Sequence, residues 1–225
     1  RDEDGALIND NFGNPIFDYG NNSSQAVNGT RPRLEGENAY GALFNYININ
    51  NRDNIQANGN VQIKFSDYLN FKTTLGFEKV LFDSYGYVHN EFGYAANVAG
   101  RVSQTRDVTT TTNLINALNF DKTFYDKHSV SASLIQEAYK LKIDGLNAQG
   151  VGFLPNVKVL NGSTTPEGVG GFVSEERMES YLGRFAYNFD TKYFIEGSYR
   201  RDGSSRFSEE TRFGDFYSVG GSWII

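Results

Sequence analysis

The run YLGRFAYNFDTKYFIEGSYRRDGSSRFSEETRFGDFYSVGGSWII, from Tyr181 to Ile225, decides the fold. Alternate residues form one apolar series: Tyr181, Gly183, Phe185, Tyr187 and Phe189. After Asp190-Thr191 the series resumes at Tyr193, Ile195, Gly197 and Tyr199, and later at Tyr217, Val219, Gly221, Trp223 and Ile225. The positions between are small, polar or charged: Arg184, Asn188, Glu196, Ser198, Arg200, Ser218 and Ser222. A period of two marks a strand with one apolar and one polar face. Aromatics crowd the strand ends beside the short turn. A transmembrane β-barrel is written this way, with an apolar band toward lipid, aromatic girdles at the interfaces and a polar interior.

The same alternation recurs upstream. Ile55, Ala57, Gly59, Val61, Ile63 and Phe65 share a face, as do Leu69, Phe71, Thr73, Leu75 and Phe77. A third series runs through Val108, Thr110, Thr112, Leu114, Leu118 and Phe120, with Asn116 as an exception. A fourth begins at Val130, Ala132 and Leu134, but Ile135, Tyr139, Leu141 and Ile143 lie on the other parity. One extra residue would move every later side chain to the opposite face, so a bulge is expected near Gln136. The expected fold is all-β: an antiparallel meander of about seven long strands at 54–66, 69–82, 107–120, 128–143, 176–189, 192–201 and 214–225. Residues 54–225 are thus read as a partial transmembrane barrel. Residues 1–53, rich in Asn, Asp and Gly, are read as an extracellular loop region with a short ordered stretch over Ala39–Ile47.

The connections alternate in length. Short ones fall near 67–68, 121–127 and 190–191, long ones near 83–106, 144–175 and 202–213. In outer-membrane barrels short turns face the periplasm and long loops face outward. Phe65, Tyr68 and Phe71 flank the first short turn, Phe120, Phe124 and Tyr125 the second, and Tyr187, Phe189, Tyr193 and Phe194 the third. They read as one interfacial belt. A soluble sheet with one buried face would also alternate. The belt, the short-long rhythm and strands longer than the usual 5–6 residues or so favour the membrane.

Composition agrees. Aromatics reach 15 % of the 225 residues, nearly all Tyr and Phe. Yet the mean hydropathy is only −0.49. A barrel reconciles the two, because its lumen and loops are polar. The net charge of −6, without a basic run, argues against nucleic acid. With no cysteine there is no disulfide framework and no thiolate metal site. No apolar run is long enough for a transmembrane helix. The opening RDEDGALIND is not a signal peptide, and a barrel must be exported, so the chain is expected to start inside a longer protein.

One run is specific. Arg200-Arg201-Asp202-Gly203-Ser204-Ser205-Arg206-Phe207, followed by Arg212-Phe213-Gly214 and by Tyr217 to Trp223, strongly resembles the most recognisable barrel motif of the SusC/RagA-like TonB-dependent outer-membrane transporters. YGNNSSQAVNGTRPRLEGEN, NVQIKFSDYLNFKTTLGFE and GFLPNVKVLNGST are similar to that family too. The resemblance implies a 22-stranded barrel in the bacterial outer membrane that crosses it many times and is closed by an N-terminal plug. It implies a SusD-type surface lipoprotein as lid and import of a glycan or peptide with energy from the TonB complex. The chain would be a middle portion of such a barrel, in contact with outer-membrane lipid, and the TonB-contacting parts would lie outside it. The alternative is a passive porin or a structural barrel without energy coupling.

No catalytic constellation is visible, and neither an enzyme activity nor a cofactor is implied. His89 and His128 lie far apart in sequence and read as solvated or interfacial residues. Asp2-Glu3-Asp4-Gly5 lacks the ligand spacing of a calcium loop and reads as an exposed acidic stretch. Gly168–Phe172 has no Lys-Ser/Thr after it, so it is no phosphate loop. Arg200, Asp202, Gly203, Arg206 and Arg212 form the candidate site. They could capture substrate at the barrel mouth. The favoured reading is a structural rim of paired charges, with Asp202-Gly203 as a turn. Tyr85, Tyr87, Phe92 and Tyr94 would stack on sugar rings, on the lid protein or on neighbouring loops. The long loops 83–106 and 144–175 are expected to meet the lipoprotein or nutrient, and residues 164–171 are expected to be removable without harm to the barrel.

Overall fold

A computed structural model describes residues 46–90 and 93–225, together with 6, 9, 11–13 and 42–44. Of the stretch expected over Ala39–Ile47, positions 39–41 and 45 lie outside the described residues, as do Asp2–Gly5 and Phe92. Seven strands form one sheet: β1 (Ile47–Ser66), β2 (Leu69–Val88), β3 (Arg101–Phe124), β4 (His128–Val151), β5 (Thr165–Phe189), β6 (Tyr193–Ser204) and β7 (Phe213–Trp223). Their order in the sheet is their order in the chain, an antiparallel meander.

The strands outrun the alternation at the ends that carry the long connections. β1 starts at Ile47 rather than at 54, and β2 to β5 extend well into the expected loops. The true long connections are only 89–100, 152–164 and 205–212. Residues 164–171 are therefore not a free loop, since β5 begins at Thr165. Alternation by hydropathy fades there because backbone pairing, and not an apolar band, carries the ladder onward. Asp202 and Gly203 likewise lie inside β6, and the chain turns only after Ser204.

Two of the short turns have the same build. Tyr125 and Asp126 have φ of 49° and 57°, and Asp190 and Thr191 have φ of 51° and 56°. Lys127 N–H reaches Phe124 O at 3.2 Å, and Lys192 N–H reaches Phe189 O at 3.0 Å. Two left-handed residues inside such a closure make a type I′ turn, whose twist matches that of the flanking strands.

The chain divides into two compact units. One contains residues 53–81, 108–144 and 173–225, with the short turns. The other contains residues up to 52, 82–107 and 145–172, with two of the long connections.

In the first unit, side-chain ladders show which residues share a face. Asn119 bonds to Asn70 (3.2 Å) and Ser133 bonds to Asn119 (2.9 Å), joining β2, β3 and β4 on one side. Gln56 donates to Glu78 at 2.8 Å on that same parity, bringing in β1. On the other side Thr73 donates to Asn116 (2.8 Å) and Asn116 to Gln136 (2.7 Å). His128 Nδ1 and the Tyr187 hydroxyl, 2.7 Å apart, tie this second side to the odd residues of β5. Pairs Phe189↔Tyr193 and Tyr193↔Trp223 carry it through β6 and β7. The second side holds Ile55, Ile63, Leu75, Leu114, Leu134, Phe185, Ile195 and Val219, all exposed. The apolar series of the sequence is one continuous face.

No bulge interrupts β4. His128 meets Tyr187, and twelve residues later Lys140 meets Glu175 at 3.4 Å, with the parity unchanged. Asn116 and Gln136 break the apolar pattern in the sequence, yet they answer each other's hydrogen-bonding needs and no shift is required. Ile135, Tyr139, Leu141 and Ile143 consequently stay on the Asn119 side, each half-buried.

The belt is present, with His128 and Trp223 added to it and Phe194 left out. His128 lies 4.9 Å from the Phe189 ring, Phe189 stacks on Tyr193 at 6.2 Å, and Tyr193 stacks on Trp223 at 6.0 Å. Tyr68 meets Phe120 edge-on at 5.7 Å, and Lys122 Nζ sits 4.2 Å from the Tyr68 ring. Phe194 does not belong, because it pairs with Asn188 and Ser222 on the polar side. Adjacent residues of a strand point to opposite faces, so Tyr193 and Phe194 cannot both join.

Three outcomes follow for the full-length protein refolded into lipid vesicles. Ile195→Arg or Gly197→Arg should cost about 2–4 kcal/mol in urea titration, and Glu196→Gln far less. A water-soluble maleimide should modify Glu196→Cys and spare Ile195→Cys; equal modification of the two would contradict the face assignment. Asn116→Leu alone should cost about 1–3 kcal/mol by stranding the Gln136 amide, and adding Gln136→Leu should recover most of the loss. Additive costs in this double-mutant cycle would refute the ladder.

Candidate functional site

The candidate rim residues fall on β6 and on the connection after it. Arg200 and Asp202 are even-numbered and share the polar face. The Arg200 guanidinium Nε donates to both oxygens of Asp202, at 2.7 and 2.9 Å. Its Nη2 reaches the buried Ser180 hydroxyl at 3.4 Å. Ser180 lies opposite Asp202 in the β5–β6 register. Arg206 reaches across to Glu176 of β5 at 2.5 Å. Beside it, Ser205 is bound to Arg177 twice: its N–H donates to the Arg177 carbonyl and its Oγ accepts from the Arg177 N–H, each at 2.9 Å.

Gly203 is on the opposite face and needs no side chain for a steric reason. A Cβ there would lie 2.5 Å from the Phe213 ring, which folds over it. Phe213 is also capped by the Arg201 guanidinium at 4.8 Å, and Arg201 faces Asp215 at 3.9 Å. Arg212 stands apart from Arg200 and Arg206. Its carbonyl accepts from Ser204 N–H at 3.0 Å, and its guanidinium is 3.7 Å from Glu209. The five candidates thus do not converge on one pocket. They distribute over both faces and the connection. Sequence reading missed Glu176, Ser180 and Phe213 as their partners.

The second unit holds the loop aromatics. Tyr87, Val102 and Phe153 are its buried core, with Tyr85, Val157 and Leu160 against them. Phe153 N–H donates to Ala99 O at 2.7 Å and Gly152 N–H to Val98 O at 2.9 Å, so the connections 89–100 and 152–164 are stitched together. Gly152 has φ of 78°, a conformation that glycine adopts freely. The Tyr85 hydroxyl donates to the Lys158 carbonyl at 2.5 Å, and Lys158 Nζ lies 5.0 Å from the Tyr87 ring. Arg101 grips Glu167 through two bonds of 2.7 Å, and Gln149 joins at 2.5 Å. Tyr85 and Tyr87 are therefore engaged in packing between the connections. Tyr94 is exposed and lies 5.8 Å from Tyr46, edge to face. Leu154 and Val159, which follow the buried Phe153 in the same connection, are also exposed. Among the described residues no group of His, Asp and Glu could hold a metal ion.

No protein-family model matches the chain. It is 30 % identical over 195 residues to TonB-dependent receptor P39 of Formosa agariphila, covering 81 % of this chain and 17 % of that protein. It is 27 % identical over 190 residues to TonB-dependent receptor P3 of the same organism, covering 83 % and 19 %. The chain spans less than a fifth of the length of these curated relatives. Its fold is that of part of the RagAB peptide transporter, with a TM-score of 0.79 at 21 % identity, over 85 % of this chain and 22 % of the solved one. The RagAB peptide importer in its closed-closed state gives a TM-score of 0.78 at 22 % identity, over 87 % and 23 %. A segment of a 22-stranded barrel is consistent with this likeness. The two receptor relatives and the shared fold support the resemblance of the chain to a segment of a SusC/RagA-like TonB-dependent transporter.

Proposed function

We propose that the protein containing this chain imports a nutrient, a glycan or a peptide, across the bacterial outer membrane, driven by TonB and assisted by a SusD-type surface lipoprotein. The observation that carries the reading is the seven-stranded meander with its single apolar face, in a chain whose relatives are TonB-dependent receptors and whose fold is that of part of a peptide transporter. The chain's own part is to be wall and rim. Residues up to about 53 are extracellular and the strands that follow cross the membrane. A peptide is the cargo this reading favours, because the structural neighbours are a peptide transporter and a peptide importer.

The rim motif acts structurally in this reading. Arg200, Asp202 and Ser180 lock β6 to β5 on the polar face, Arg206 and Glu176 pin the turn, and Gly203 admits the Phe213 ring that ties β7. The exposed Leu154 and Val159 then form the docking surface for the lipoprotein, because they sit on a segment held rigid by Phe153. Rigid apolar anchors lose little entropy on binding.

Three experiments test these roles. Gly203→Val should displace the Phe213 ring and lower the urea midpoint of the refolded protein, whereas Arg206→Gln should cost about 1 kcal/mol or less, as an exposed ion pair does. Normal stability of Gly203→Val with loss of uptake would turn the motif into a ligand site. In cells, uptake of the cognate nutrient should stop when TonB is deleted. The Leu154→Asp/Val159→Asp variant should assemble but fail to co-purify the lipoprotein. Uptake that continues without TonB would favour the passive porin instead.

A further inference from the structure

The second half of β4 sets apolar side chains on the polar face of the first unit, with one carboxylate among them. The pairs Asn116–Gln136 and Asn119–Ser133 fix the register of β3 against β4, so Ile115 stands opposite Glu137. The pairs His128–Tyr187 and Lys140–Glu175 do the same for β4 and β5, so Met178 stands opposite Glu137 on its other side. Ile135 and Tyr139, two residues away along β4, complete the surround. All four neighbours of Glu137 on its own face are therefore apolar or aromatic, where a barrel lumen is ordinarily polar.

Glu137 has no counter-ion. Among the described residues its carboxylate makes neither an ion pair nor a hydrogen bond, and the Tyr139 hydroxyl has no hydrogen-bond partner. The cations nearest in the fold are engaged elsewhere. Arg206 is bound to Glu176, and Arg200 to Asp202. Lys140 and Arg177 point to the opposite face, where both meet Glu175. Lys72 shares the face of Glu137, but it stands on β2 with β3 between them.

The height of the patch bears on what can reach it. His128 belongs to the aromatic belt, and Glu137 lies nine residues farther along β4. That span covers about 30 Å of strand, or about 21 Å of height at a tilt near 45°. The apolar band of a barrel is about 25 Å tall. Glu137 thus lies far from the short turns, in the part of the wall that a solute from outside meets early.

A solute that covers this patch takes water away from the carboxylate. Without a cation it leaves a buried charge unpaired, which is costly. A cation on an apolar stem answers both parts of the surface. The methylenes of a lysine or arginine lie along Ile115, Ile135 and Met178, and the charged head meets Glu137. A neutral sugar brings hydroxyls, but neither the charge nor the stem.

We propose that this patch is a subsite of the lumen wall for a lysine or arginine side chain of a peptide cargo, with Glu137 as its counter-ion and the Tyr139 hydroxyl oxygen as a second acceptor. This rests on the import reading, in which the polar face lines the lumen, and narrows the cargo to peptides that carry a cation.

The test uses the full-length protein purified from outer membranes in detergent and capped, fluorescently labelled peptides of one alanine-serine sequence. One peptide carries a central Lys, another norleucine in its place, a third Glu. By anisotropy the wild type should bind the Lys peptide about tenfold or more tighter than the norleucine peptide. Glu137→Gln should lose that preference while still running as a folded barrel on unheated gels. Glu137→Asp should keep part of it, and Glu137→Lys should turn it toward the Glu peptide. The same preference in wild type and Glu137→Gln would overturn the proposal. So would a wild type that binds the Lys and norleucine peptides alike, or binds neither. A wild type without preference, joined to a lower urea midpoint in Glu137→Gln, would assign the carboxylate to a cation within the protein. Uptake of the Lys peptide by cells separates the subsite from the reading beneath it. TonB-dependent uptake at equal rates in wild type and Glu137→Gln sinks only the subsite. Uptake that is the same with and without TonB sinks the import reading.

Discussion

Each strand of this sheet satisfies its backbone only through the strands beside it. In hydrocarbon an unpaired N–H or C=O has no water to turn to, so pairing is obligatory. Pairing in register then decides which side chains share a surface, because neighbours along a strand point to opposite sides. From this one constraint come the continuous apolar face, the row of rings from His128 to Trp223, and the opposition of Ser180 to Asp202. The polar residues on the apolar face obey the same rule. Thr73, Asn116 and Gln136 sit at equivalent positions of three adjacent strands, and each finds its partner there.

The motif that carries the family resemblance gains a physical meaning from the same register. Its residues are not gathered around a ligand. Arg200 and Asp202 work on one side, Gly203 and Arg201 on the other, and Arg206 belongs to the turn. What they have in common is the end of a long hairpin, where two strands must stay paired after the apolar band has ended. Charge pairs and a ring folded over a glycine hold the last residues of the ladder where burial in lipid no longer helps. A sequence can be distinctive for such a reason without touching cargo.

The face assignment is legible in the sequence because alternation and strand pairing share a period. Outside the second half of β4, the parities from Ile55 to Trp223 follow from hydropathy alone. Three things are not legible. The ends of β2 to β5 carry no sustained apolar alternation, so their ladders leave little trace in hydropathy. Asn116 and Gln136 stand twenty residues apart in the chain and read as two faults, when together they cancel. The packing of Phe153 on Tyr87 and Val102 joins segments with no common period, and only the folded connections reveal it.

The meander also bears on how such a wall is made. Each strand pairs with its immediate successor, so every contact in the ladder closes a hairpin and none waits for a distant segment. The entropy of loop closure is small for each step, and growth can proceed one hairpin at a time as the chain is delivered. Among the described residues the outer edges of β1 and β7 are the exception, because no strand pairs with them. An unpaired edge is a template open to any passing strand. The kinetic hazard of the whole assembly is thereby concentrated at a growing seam, which is where a chaperone or insertion machine would have to hold on.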